Sequence, residues 1–190
     1  MTSLIPRLDL LVARARLLEI VRAKAYKEGR FVLASGKASD YYLDCRLVTL
    51  DPEGLFLYAR LILEELRDTG VAAVGGLTLG ADPIAAGVAA VSHLEGRPVR
   101  AFIVRKEAKQ HGTQKAIEGE LAPGELAAVV DDVMTTGGSV KQAIAEVEKA
   151  GARVAKVICL VDREEGGSRD LREKGYDFRA IYSISDVRRK

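Results

Sequence analysis

The stretch AVVDDVMTTGGSV, residues 128–140, decides how this chain folds. It starts as a hydrophobic strand, passes through two adjacent carboxylates and a Thr/Gly/Ser loop, and enters a helix from Ser139 to Ala150 that Gly151 ends. Thr135, Thr136, Gly137, Gly138 and Ser139 offer hydroxyl donors, small side chains and unobstructed backbone N–H groups at the positive end of that helix. This combination cradles a phosphate monoester. Asp131 and Asp132 would repel a phosphate, so they must face something else. Vicinal sugar hydroxyls or a hydrated Mg²⁺ are the natural partners.

Working outward, apolar runs alternate with helical patterns. An amphipathic first helix carrying Leu10, Leu11, Leu17, Leu18 and Val21 is expected to end near Gly29. FVLASGKASDYYLDCR, residues 31–46, reads as a hairpin-like element. Pro52 opens a helix whose apolar face holds Leu55, Tyr58, Ala59, Ile62, Leu63 and Leu66, with Gly70 after it. Strands are expected over 71–76, 99–104, 125–130, 152–162 and 176–184. A small-residue helix over 82–93 and a short one over 171–174 complete the pattern. Continuous apolar strands alternating with helices give an α/β fold: a mainly parallel twisted sheet flanked by helices, preceded by a small N-terminal hood. The whole of 1–190 reads as a single domain, with the helix and hood over about 1–50 and the α/β core over about 51–190. Ligands of such sheets sit at the carboxyl ends of the strands, here the loops after residues 75, 104, 130 and 161.

Composition narrows the function. With 48% hydrophobic and 29% charged residues the chain is an ordinary globular protein, not a disordered or fibrous one. Lys and Arg number 29 against 27 Asp and Glu, so no chain-wide basic field invites nucleic acid. Cys45 and Cys159 are the only cysteines, with no CxxC pair for zinc or dithiol chemistry. Their scarcity fits a reducing cytoplasm. No apolar run approaches the ~20 residues that span a bilayer, so no membrane is expected. The familiar nucleotide signatures do not fit either. Gly75 to Gly80 lacks the Lys and Ser/Thr of a Walker A loop, and no GxGxxG follows a strand.

Residues 128–140 resemble the phosphoribosyl-pyrophosphate signature of type I phosphoribosyltransferases: hydrophobic residues, two acids, hydrophobic residues, Thr, a small residue, Gly, then Thr or Ser. The resemblance implies that Asp131 and Asp132 contact the ribose hydroxyls. It also implies that Thr135, Thr136, Gly137, Gly138 and Ser139 hold the 5′-phosphate, with Val133 and Met134 lying between. The segment VRKEAKQHGTQKAIEG, residues 104–119, has a net charge of +3 between Arg105 and Lys115, with Gly112 and Gly119 to hinge it. A pyrophosphate leaving group needs cations gathered around it as its charge develops.

The spacing Arg-Lys-x-x-Lys-x-His-Gly is similar to the catalytic loop of orotate phosphoribosyltransferases. So is the SGK-x-S-x-YY-x-D core of residues 35–44, and so is the pair Asp162-Arg163. The resemblance implies a Mg²⁺-dependent transfer of ribose 5-phosphate from phosphoribosyl pyrophosphate to orotate, yielding orotidine 5′-monophosphate and pyrophosphate, a step of pyrimidine synthesis. Arg105, Lys106, Lys109 and His111 would close over the pyrophosphate as the catalytic group, with Lys109 stabilising or protonating the leaving group. Thr135 and Arg163 would hold orotate, the latter by a guanidinium fork on its carboxylate. No protein ligand is assigned to the metal, which the pyrophosphate mainly carries. A homodimer with shared active sites is also implied. Two departures from the pattern stand out: Ala34 occupies the place of a Lys that contacts phosphoribosyl pyrophosphate in many bacterial members, and the aromatic pair flanking orotate is Tyr42 and Leu43.

Two rival readings share the cradle. One is a transferase of the same fold acting on a purine or uracil. The lysine-rich loop and the YY segment favour orotate instead. The other is a non-catalytic regulator that binds phosphoribosyl pyrophosphate. Lys106 and Lys109, the near-zero net charge and the lack of room for a DNA-binding domain speak against it.

Overall fold

A computed structural model of the chain describes residues 4, 8–32, 36, 38–107 and 116–189. Helix α1 (Leu10–Ile20) starts where the Asp9 carboxylate accepts the amides of Leu11 and Val12. It buries Ala13, Leu17 and Ile20, while Leu11 is turned to solvent, 80% exposed. The helical path ends sooner than expected, in a π-helical turn over Val21–Ala25. Strand β1 (Tyr26–Val32) follows and pairs antiparallel with β2 (Ala38–Leu43) as the hood. Gly29 therefore lies inside a strand, where the register shifts between Glu28 and Phe31, and does not cap the helix.

A single turn α2 (Arg46–Thr49) leads into α3 (Pro52–Glu65). Asp51 caps α3 through the Gly54 amide, and Pro52 occupies its first turn. Then come β3 (Ala73–Leu77), α4 (Asp82–Leu94), β4 (Arg100–Val104), β5 (Ile117–Gly119), β6 (Leu126–Met134), α5 (Gly138–Lys149), β7 (Arg153–Asp162), α6 (Gly167–Glu173), β8 (Phe178–Ser183) and α7 (Ile184–Arg188). The sheet order is β5-β4-β3-β6-β7-β8, and every pairing is parallel except β4 with β5.

Side-chain alternation on β6 sends its residues to two cores. Ala128 and Val130 join a core with α1, α3 and α4, whereas Ala127 and Val129 join one with α5 and α6. Helices thus cover both faces, which is why the central strands read as unbroken apolar runs. The parallel strands end together at Leu77, Val104, Met134 and Asp162, and this edge positions the site. From β3 the chain proceeds to β4 on one side, and from β6 to β7 on the other. The order reverses between β3 and β6, the switch point where a crevice opens in such sheets.

Candidate active site

The crevice has a visible cause in the ladder. β3 and β6 are in register only as far as Gly75 opposite Val129. β6 stays paired to β7 for five more residues, to Met134 opposite Asp162. Asp131 and Asp132 therefore lie within the strand, not after it, with one flank of the strand released. Asp131 is 8% exposed and Asp132 half-buried. The Tyr58 hydroxyl, from the buried face of α3, donates to the Asp131 carbonyl at 3.0 Å. The Asp132 amide donates to the Asp131 carboxylate at 3.0 Å.

Burial, then the neighbouring charge of Asp132, pushes the Asp131 carboxyl up to about 8. Burial raises Asp132 too, opposed in part by the Arg46 guanidinium and by hydrogen bonds. Arg46 is itself paired with Asp44 at 2.8 Å. Two crowded carboxyls with so little compensation suit hydroxyl donors or a cation brought by a ligand.

The loop after β3 leans over this pair. A Cβ on Gly80 would stand 2.5 Å from Asp131 Oδ1 and 3.1 Å from Asp132 Oδ1, so only glycine fits there. In the same loop, the Thr78 hydroxyl is 2.7 Å from Asp82 Oδ2, while the buried Asp82 Oδ1 has no partner among the described residues.

Thr135 to Gly137 form the turn after β6. Gly137 takes a left-handed conformation, φ 80°, and precedes α5 with no side-chain cap. The first-turn N–H groups of α5 are thus left for an anion, with Thr136, Gly138 and Ser139 exposed around them. The turn is braced from behind. The Gly167 amide donates to Thr135 O at 3.0 Å, and a Cβ on Gly167 would meet Thr135 O at 2.5 Å and the Gly137 nitrogen at 2.7 Å. Lys141 Nζ reaches Thr136 O at 3.0 Å.

Arg163 opens the loop after β7, and its amide donates to Met134 O at 2.9 Å. Its guanidinium is largely buried and lies against Tyr41 of the hood. Arg105 leaves β4 with its amide on Ala116 O at 2.8 Å and its guanidinium on Glu118 at 2.7 Å. Gln142 of α5 donates to Lys106 O at 2.9 Å. The β4–β5 pair is thus a short stem beneath the basic segment, where the polar sequence showed no element. Lys109 and His111 lie outside the described residues, as do Ala34 and Lys37. Both cysteines are free and buried, and burial raises their thiols. No cluster of three or more metal-ligating side chains occurs among the described residues. Among the described residues, the carboxylate pair would hold a metal ion together with ligands brought by a substrate.

The fold thus collects, at one sheet edge, Asp131, Asp132, the 135–139 turn, Arg163, and the base of the basic segment with Arg105 and Lys106. Sequence reasoning did not single out Tyr58 or Gly167, which shape the site from other elements, and it reads Gly80 only as one glycine of the 75–85 loop, whose glycines let backbone N–H groups approach a phosphate. The doubled glycine at 166–167 was the available signal for the last of these.

Comparison with known proteins identifies the family of this fold. Residues 50–181 match the sequence model of the phosphoribosyl transferase domain. The orotate phosphoribosyltransferase of Synechocystis sp. is 50% identical to this chain over 175 residues, 92% of this chain and 88% of that protein. The crystal structure of Mycobacterium tuberculosis H37Rv orotate phosphoribosyltransferase in complex with Fe(III) dicitrate superposes with a TM-score of 0.83 at 40% identity, covering 93% of this chain and 99% of that one. That of the same enzyme in complex with 5-phospho-alpha-D-ribosyl 1-diphosphate gives 0.76 at 34% identity, covering 93% and 92%.

Proposed function

The chain belongs to the orotate phosphoribosyltransferase family, and from that premise we propose how its own residues carry out the transfer of ribose 5-phosphate from phosphoribosyl pyrophosphate to orotate. It is a transferase of pyrimidine synthesis. The observation that carries the residue assignments is the parting of β3 from β6 after Val129, which opens a crevice flanked by an acidic pair and an uncapped helix N-terminus.

Phosphoribosyl pyrophosphate lies across that crevice. Its 5′-phosphate accepts the amides and hydroxyls of Thr135 to Ser139, supported by the dipole of α5. Asp131 and Asp132 accept the ribose 2′- and 3′-hydroxyls. These donors offset the burial and the neighbouring Asp132 charge that raise the Asp131 carboxyl. The Arg163 fork binds the orotate carboxylate, with Thr135 beside it, and holds the ring nitrogen against the anomeric carbon. As the new C–N bond forms, the ring nitrogen gives up its proton, the C–O bond to pyrophosphate breaks, and the leaving oxygen keeps that electron pair and is free to take up a proton. Arg105, Lys106, Lys109 and His111 gather around the departing charge, and Lys109 stabilises or protonates it. Asp131 and Asp132 would hold a Mg²⁺ ion brought in by the pyrophosphate, and such an ion would supply further charge neutralisation. The reading includes a homodimer whose basic segment completes the neighbour's site, to be checked by mass in solution. It also includes a cytoplasmic enzyme, in keeping with two free, buried thiols.

The test is the ultraviolet absorbance of orotate on mixing protein, phosphoribosyl pyrophosphate and Mg²⁺, with uracil, hypoxanthine and adenine in parallel. Loss of the orotate signal is expected, reversed by pyrophosphate and abolished by chelating the metal or by Lys109→Ala. Turnover of another base instead of orotate would overturn the substrate assignment. Full activity in chelator would overturn the role given to Mg²⁺.

A further inference from the structure

The sequence carries two adjacent tyrosines, and only Tyr42 falls at a position matched to the orotate-flanking pair. The β2 alternation turns the two to opposite sides. Tyr42 is 39% exposed and packs at 5.6 Å from the Phe31 ring, while Tyr41 is 8% exposed. Tyr41 faces the site. Its hydroxyl accepts the Nε–H of Arg163 at 3.0 Å, and the guanidinium carbon lies 5.0 Å from its ring centroid. Glu165 adds a carboxylate oxygen 3.0 Å from the same Nε.

A guanidinium presents two edges to a carboxylate: the side edge of Nε and one Nη, and the end edge of the two Nη groups. Here the side edge is occupied by the Tyr41 hydroxyl and Glu165. The end edge is what remains for a ligand. We propose that Tyr41 is a positioning residue that fixes the Arg163 fork end-on to the carboxylate of the nucleobase, and so sets affinity for orotate in particular. The inference rests on the reading that Arg163 holds orotate.

Tyr41 is itself firmly placed. Its amide and carbonyl share the Ser39 hydroxyl, at 3.3 and 2.7 Å. Its ring lies 5.9 Å from that of Tyr26 and 5.5 Å from the guanidinium carbon of Arg188 on α7. Arg188 is held by Asp40 at 2.7 Å, so each of the two cations near the ring has its own carboxylate. A neutral hydroxyl on Nε orients Arg163 without cancelling the charge that the substrate must meet. A second carboxylate in that place would compete with orotate for the cation.

Steady-state kinetics with orotate and phosphoribosyl pyrophosphate varied separately test this in Tyr41→Phe and Arg163→Gln. Tyr41→Phe keeps the ring and removes only the acceptor. It is expected to raise KM for orotate about tenfold, the scale of one hydrogen bond to a charged group. KM for phosphoribosyl pyrophosphate and the melting temperature should stay unchanged. Arg163→Gln should raise KM for orotate further. An unchanged KM for orotate in Tyr41→Phe beside a raised one in Arg163→Gln would overturn the role of Tyr41 and keep that of Arg163. An unchanged KM for orotate in Arg163→Gln would overturn the assignment of Arg163 itself, and the inference with it. Equal rises in both KM values in Tyr41→Phe would show a general structural role and also overturn the inference.

Discussion

The two halves of β6 have the same backbone and opposite circumstances. Leu126 to Val130 run through the sheet interior, where Ala127, Ala128 and Val129 are paired on both flanks and fully buried. Asp131 to Met134 keep only the β7 flank, and the first acid comes two residues after the last partner on β3. The lower half is held by packing and a complete ladder. The upper half gives up one partner strand and takes on two buried carboxyls. One strand thus separates what stabilises the fold from what the fold exists to present, and burying the second is unfavourable by itself.

The harshest way to break this contrast is to move an acid down the strand. Val129→Asp would place an unpaired carboxylate at a fully enclosed position, at a cost above about 4 kcal/mol. We expect no cooperative melting transition by circular dichroism. A folded Val129→Asp protein would show that the lower half tolerates charge as the upper half does.

Next is the reverse change, Asp131→Asn. One charge-assisted hydrogen bond to a ribose hydroxyl is worth about 1.5–3 kcal/mol, so kcat/KM for phosphoribosyl pyrophosphate should fall roughly 10- to 100-fold. Stability should move the other way. The folded carboxyl titrates near 8, above its value of about 3.9 in the unfolded chain. Below the unfolded value both states carry the proton and no penalty exists. As pH rises through that value towards 8 the unfolded chain ionises first and the ligand-free fold loses stability, with the full penalty in place above 8. Melting of the wild type should therefore decline over that window relative to Asp131→Asn. Parallel pH profiles for the two would contradict the burden assigned to Asp131.

Tyr58→Phe sharpens the boundary between the halves by removing the hydrogen bond that α3 gives to the Asp131 carbonyl. About 1 kcal/mol of stability should be lost in denaturant titrations, with KM for phosphoribosyl pyrophosphate rising modestly. Ser139→Ala should be the mildest. Ser139 is exposed and caps nothing, since Gly137 stands at the N-cap. Its loss should leave melting unchanged and raise KM for phosphoribosyl pyrophosphate about threefold, on the order of one neutral hydrogen bond.

The same strand shows what was legible beforehand. Its apolar run, acids, small-residue turn and helix are consecutive, so a local pattern revealed the fold class and the turn that follows β6. Its true end was not legible. A hydrophobic run stops at the first acid, yet the ladder with β7 continues to Met134, because backbone pairing ignores side-chain polarity. Contacts between distant segments were invisible for a related reason. Tyr58 meets Asp131 across 73 residues, and its apolar helix position marks it only as core. Gly80 and Gly167 act by close approach to other elements, and the glycines beside them mark a permissive backbone without recording what it approaches. The three-residue β5 is too short to show a period, and it exists because β4 offers it an edge.

That small strand has a consequence for chemistry. The Arg105 amide on Ala116 O ties together the two ends of the segment between them. The entropy of closing that loop is thus met by backbone pairing at the ends of β4 and β5 when the protein folds, and not by any ligand.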